Sequence, residues 1–220
     1  AQMNRLLTAV PCQRVCYEGP FNFARMNNLG AAKATGDVLV FLNDDVKPLA
    51  PGWLSSLVAQ AQRPQVGVVG AKLLYPSGTI QHAGIAIGIM DGCGHPLRHT
   101  CGSRFWHWHE LTRDVSAVTA ACLAVRKSVF QELGGLEERF PASYNDADFC
   151  LRAQRAGYRV IYEPAAVLRH CECKTRAPGT RYDERELWHA RWAAVLAKGD
   201  PFYNPNLTSA REDGSLGLEL

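Results

Sequence analysis

Apolar positions along the chain alternate between helical and strand-like rhythms. The stretch FNFARMNNLGAAKATGD (21–37) carries Phe23, Met26, Ala31 and Ala34 near one helical face. Asn22 is placed to cap that helix and Gly36 to end it. DVLVFL (37–42) is continuously apolar, which predicts a strand buried on both faces, as in a parallel sheet. PGWLSSLVAQAQRP (51–64) predicts a second helix. Pro51 lies near its start, Trp53, Leu54, Leu57, Val58 and Ala61 share one face, and Pro64 follows its end. VGVVGAKLLY (66–75) reads as a strand punctuated by glycine. VSAVTAACLAVRKSVFQELGG (115–135) reads as strand, short helix and a Gly-Gly stop. NDADFCLRAQRAGYRVIYEP (145–164) reads as a helix stopped at Gly157 and followed by a strand. Helices alternating with apolar strands predict an α/β fold with a mostly parallel sheet flanked by helices.

Composition narrows the class. The 220 residues are 47% hydrophobic and 20% charged, which suits one domain, 1–220, with a real core. A net charge of +3 is too mild to indicate a nucleic-acid partner. No apolar run reaches the length of a membrane span. The eight cysteines form no CxxC pair, and Cys122 and Cys150 fall inside apolar patterns. These features favour reduced thiols and a cytoplasmic chain over a disulfide framework.

The candidate chemistry is acidic. Asp44 and Asp45 follow the strand DVLVFL directly, and ligands of open α/β sheets gather at the carboxyl ends of strands. Adjacent carboxylates suit Mg²⁺ or Mn²⁺, which would relieve their repulsion and bridge a diphosphate. Asn-Asp-Asp is equally a good turn sequence. Asp146 and Asp148 stand at a helix start, where Asn145 or Asp146 serves as cap and the helix dipole favours acids. His170 ends a short apolar strand and is followed by Lys174 and Arg176. This is a candidate metal ligand with phosphate-binding cations, or an ordinary histidine and a solvated basic turn.

In this order, FNFARMNNLGAAKATGDVLVFLNDD, PGWLSSLVAQAQRPQVGVVGAKLLYPSGTIQHAG, AVTAACLAVRKSVFQELGGLEERF, YNDADFCLRAQRAGYRVIYEPAAVLRH and DPFYNPNLT resemble family 2 glycosyltransferases of the GT-A fold. The likeness runs from about Phe21 to Thr208 and is strongest to the rhamnosyltransferase-like group of bacterial O-antigen synthesis. It implies a role for each matching residue. NDD resembles the DxD motif with Asn43 in place of its first aspartate, so Asp45 would bind the metal and Asp44 would lie near the donor ribose or sugar. His170 matches a further metal ligand, and Asn28 a donor-contacting asparagine. NDAD resembles a Glu-Asp motif with Asn145 in the glutamate place, which makes Asp146 the catalytic base. Lys174 and Arg176 would close over the diphosphate. The implied reaction is inverting transfer from a nucleotide-diphospho-sugar, with Mg²⁺ or Mn²⁺, to a saccharide or lipid-linked saccharide acceptor. It would run in the cytoplasm or at the inner membrane face. A non-catalytic nucleotide- or carbohydrate-binding piece of the same fold is the alternative. A hydrolase pairing Asp146 with Asp148 is a third reading.

Family members begin with an apolar strand and a nearby aspartate that hold the base. Nothing ahead of Phe21 resembles that unit, so the resemblance implies an N-terminally incomplete domain. The segment 91–110 is rich in Cys, His and Trp. Its spacings match no standard zinc pattern. The better reading is a loop that shapes the acceptor site, with Phe105, Trp106 and Trp108 as surfaces for sugar stacking or for packing the loop down.

Overall fold

The computed structural model describes residues 12–90, 92–102, 107–171 and 182–217. Helix α1 spans Phe23–Lys33. Its cap is Asn22, whose side-chain oxygen accepts from the Arg25 N–H at 2.9 Å. A cap of this kind contributes about 1 kcal/mol. The helix closes at Ala34, ahead of the expected Gly36. Strands β1 (Val38–Leu42) and β2 (Val46–Pro48) flank a turn, and α2 (Trp53–Ala61) follows. Next come β3 (Val66–Leu74), β4 (Ile80–His82) and the short strands β5 (Ala86–Ile87), β6 (Cys93–Gly94) and β7 (Arg113–Asp114). Then β8 (Cys122–Arg126) runs into α3 (Lys127–Glu132). Helix α4 (Asn145–Arg155), β9 (Arg159–His170) and α5 (Tyr182–Leu196) complete the order.

The main sheet runs β1-β8-β3-β9-β2, with β4 joined to β3 and β7 to β9. This corrects the expectation of a mostly parallel sheet: among the described residues only β3–β9 pairs parallel. A parallel pair needs a long crossover, and α4 lies on the connection between β3 and β9. Apolar runs alone do not report strand direction. β1 packs apolar side chains on both faces as expected, Leu39 and Phe41 buried in one layer and Val38 and Val40 half-buried against the other, with only Leu42 exposed at its end.

Two apolar layers cover the sheet. One gathers Phe41, Val68, Phe130, Phe149, Trp188 and Trp192 under α1, α3, α4 and α5. The other gathers Leu57, Ala61, Val69, Leu73, Ile161 and Leu168 under α2. Val68 and Val69 serve opposite layers, as the two-residue strand period requires. Trp188 and Trp192 are fully buried, and truncating either would cost about 3–5 kcal/mol. The segment 116–121 crosses the sheet at Gly70, where a Cβ would overlap the Val118 side chain.

Candidate functional site

The turn after β1 is closed by a Val46 N–H bond to Asn43 O at 3.2 Å. Two further bonds tie it down. Asn43 N–H donates to Ala121 O at 3.0 Å, and Cys171 N–H to Asp45 O at 3.0 Å. The register of β2 on β9 pairs Val46 with His170. His170 Nε2 therefore comes to 3.1 Å from Asp45 Oδ1. From β4, Gln81 Oε1 lies 2.6 Å from His170 Nδ1. With the Nδ1 proton given to Gln81, His170 Nε2 faces the Asp45 carboxylate.

A divalent ion fits. Carboxylate oxygen and imidazole nitrogen are ordinary ligands, and adjacent ligands about 2.1 Å from an octahedral ion stand about 3.0 Å apart. The Gln81 bond is the outer support that ligating histidines usually have. No group of three or more His, Cys, Asp or Glu placed to hold a metal occurs among the described residues. Asp45 and His170 are the two candidate ligands that the structure brings together here. Asp44 is exposed at the tip of the turn and Asn43 is half-buried beside it.

Asp146 sits in the first turn of α4. Its Oδ1 accepts from Ala147 N–H at 2.8 Å and its Oδ2 from Ala120 N–H at 3.1 Å. Burial pushes its carboxyl above the ordinary range, opposed by these backbone N–H groups and the Thr119 hydroxyl. Ala120 and Ala121 are neighbours, so one short segment anchors both Asp146 and the Asn43–Asp45 turn. The helix entry is shaped from α5. Glu184 Oε2 accepts from Ala142 and Ser143 N–H at 3.0 and 2.7 Å, and Trp188 stacks on Tyr144 with centroids 5.0 Å apart. Tyr144 itself is the N-cap at φ 61, so neither Asn145 nor Asp146 fills that position. Asn145 is buried and donates to Phe140 O at 3.2 Å, a bond that an ionised glutamate could not make.

Asp148 proves to be more than an acid at a helix end. It is fully buried and accepts from Arg152 Nε and Arg191 Nε, both at 2.8 Å, and from Trp192 Nε1 at 3.1 Å. Asn28 is engaged by the loop after α3: it donates to Leu136 O and accepts from Leu136 N–H, both at 2.9 Å. Lys174, Arg176, Phe105 and Trp106 lie outside the described residues.

The histidines of 91–110 fall into three places, with His107 and His109 stacked beside Glu110. His95 Nδ1 pairs with His82 Nδ1 at 3.0 Å, and His99 stacks on Tyr75. Burial lowers His82 well below the usual imidazole range and His95 to about 3, so both are neutral. His82 Nε2 also accepts from Thr119 N–H at 3.5 Å, the edge of a hydrogen bond. Gln81, His82 and His95 carry no local signal that would have pointed to these contacts; each meets its partner across the fold.

Residues 49–209 match the family model described as glycosyl transferase family group 2. The chain is 40% identical over 210 residues to the O-antigen biosynthesis protein RfbC of Myxococcus xanthus, covering 92% of this chain and 16% of that protein. It is 27% identical over 147 residues to the N-acetylglucosaminyl-diphospho-decaprenol L-rhamnosyltransferase of Mycobacterium tuberculosis, covering 61% and 47%. The chain therefore spans a minor part of these relatives' lengths. A crystal structure of GalNAc-T7 with UDP, GalNAc and Mn²⁺ superposes with a TM-score of 0.60 at 14% identity, over 80% of this chain and 36% of that one.

Proposed function

The chain belongs to glycosyl transferase family group 2 and has the GT-A fold, and we propose that it transfers a sugar from a nucleotide-diphospho-sugar to a saccharide acceptor with inversion. The observation that carries this reading is the Asp45–His170 pair, braced by Gln81 and tied through residues 120 and 121 to Asp146. The family resemblance and the fold support the assignment.

In this proposal Asp45 and His170 would hold Mg²⁺ or Mn²⁺. When bound, the ion would stabilise negative charge gathering on the leaving nucleotide. Asn43 and Asp44 line the donor side of the turn. Lys174 and Arg176 follow His170 closely in the chain, which suits cations meant for the donor diphosphate. Asn28 is left out of the donor site, because Leu136 takes both ends of its amide.

Asp146 accepts the proton of the acceptor hydroxyl as that oxygen attacks the anomeric carbon. Its desolvated carboxyl is a stronger base than an exposed one, and its backbone bonds fix its direction. A purely binding role would give that desolvated base no task. The O-antigen and lipid-linked relatives support a saccharide or lipid-linked saccharide acceptor. No helix among the described residues is long and apolar enough to cross a membrane.

Calorimetry tests the donor site. Mn²⁺ should bind weakly alone and more tightly with UDP, GDP or dTDP, and Asp45→Ala should abolish that coupling. Equal Mn²⁺ affinity in the wild type and Asp45→Ala, with nucleotide present, would sink the assignment.

A further inference from the structure

A cavity of about 150 Å³ lies between the start of β5, the Trp108–Val115 stretch and the Asp200–Leu207 segment. None of its lining residues belongs to the Asn43–Val46 turn or to α4. We propose that it binds one uncharged pyranose unit of the saccharide acceptor. The proposal rests on the reading of the chain as a glycosyltransferase, and it assigns the acceptor a subsite beyond the reacting hydroxyl.

Size is the first argument. A cavity of about 150 Å³ is enough to hold a six-membered ring. Its lining is the second. Trp108, Phe202 and Tyr203 supply aromatic surface, against which the C–H face of a pyranose packs. Phe202 is 45% exposed, so an aromatic side chain is held at the surface rather than in the core.

Polar groups supply the third argument. Arg113 donates through Nη2 to Ala83 O at 2.6 Å, and its guanidinium lies 4.3 Å from the Trp108 ring centre. Its Nε is buried and has no hydrogen-bond partner among the described residues. Buried N–H groups are seldom left unpaired in proteins, and such an exception calls for a ligand or a water. Asp200 borders the same cavity. Its oxygens accept from Ile87 N–H at 2.6 Å and Phe202 N–H at 2.7 Å, which leaves lone pairs to spare. A free donor and an acceptor bordering one aromatic-lined space match neighbouring hydroxyls. The Asp200 carboxylate disfavours an anionic ligand. The unpaired Arg113 N–H disfavours a purely apolar one.

The backbone keeps the space open. Gly84 has φ +97, and a Cβ there would stand 2.8 Å from Val115 Cγ1 and 3.2 Å from Arg113 Nη2. Connection to the chemistry runs along one strand of chain. Val115 and Ser116 line the cavity, and Ala120 binds Asp146. Ser116 and Ala120 are four residues apart, at most about 14 Å of extended chain. An oligosaccharide whose terminal hydroxyl reaches Asp146 can place an inner sugar in the cavity.

Saturation-transfer NMR on the full chain with methyl α-L-rhamnopyranoside and methyl α-D-mannopyranoside provides the test, with methyl glucuronoside as the anionic comparison. Saturable binding of at least one neutral pyranoside is expected. Phe202→Ala should weaken it about fivefold or more, the scale of a lost aromatic contact. Arg113→Gln should weaken it as well, provided thermal melting shows that the variant folds; Phe202→Ala decides the matter if it does not. Asp45→Ala should leave it unchanged. No pyranoside binding, binding indifferent to Phe202→Ala, or tighter binding of the glucuronoside would overturn the proposal. The Mn²⁺–nucleotide calorimetry separates the two readings. Coupling without pyranoside binding removes the subsite alone. Pyranoside binding without coupling removes the transferase reading and leaves a sugar-binding cavity.

Discussion

Asp146 and Asp148 stand two residues apart in the first turn of one helix, and their surroundings are opposite. Asp146 lies at the edge of the site, held by backbone N–H groups and a hydroxyl, and burial raises its pKa. Asp148 lies in the core between two arginines and an indole. The first is a carboxylate left short of positive charge, which suits a base. The second is charge-paired on both oxygens, which suits a structural node. Arg191 extends that node to Glu137 at 2.8 Å, fastening α5 to the chain ahead of α4. The difference shows that helix position alone does not assign a role to an acid. The partners do.

The comparison breaks most sharply in catalysis. Asp146→Asn should cut the transfer rate on the order of 10²–10⁴-fold, the contribution of a positioned general base. Donor binding should change little, as steady-state kinetics will show. The Asp146 carboxyl also makes folding pH-dependent. A raised carboxyl pKa means that the folded chain holds the proton more tightly than the unfolded one. Stability therefore falls as pH rises from the ordinary 3.8 through the folded value. Glu137 has the opposite sign. Arg139 first, with Arg191, draws it from 4.5 to about 2, so its contribution is complete above pH 4.5 and lost as pH falls toward 2.

Asp148→Asn tests the other half. Opening a buried pair costs about 3–5 kcal/mol, or about 6–20 °C in melting temperature for a chain of this size. The rate per folded molecule should fall less than tenfold at low temperature. A kinetic loss larger than that of Asp146→Asn would reverse the two roles.

The smallest effect expected is at Gln81, beside the proposed metal pair. Gln81→Leu removes the acceptor for His170 Nδ1 while keeping most of the side-chain volume. Mn²⁺ affinity in the presence of nucleotide should drop about 10–100-fold, as for other outer supports of a ligating histidine. Melting should shift by only a few degrees. Unchanged affinity would mean that Gln81 is a packing residue.

Much of the local structure is legible in the chain. Asn22 caps α1, Pro51 and Gly52 precede α2, and the glycines at 134, 135 and 157 follow the helices they were expected to end. Such signals act within about one helical turn, so sequence neighbours carry them. The order of the motifs also points to the family that the comparisons support. Strand direction, the partners of Asp148 and the bracing of His170 were decided only by the tertiary structure. Arg191 lies 43 residues beyond Asp148, and Gln81 lies 89 residues before His170. The cavity unites Gly84, Trp108, Arg113 and Asp200 in the same way. Contacts at such separations depend on how the sheet closes and on where segment 116–121 crosses Gly70, and neither propensity nor periodicity encodes that geometry residue by residue.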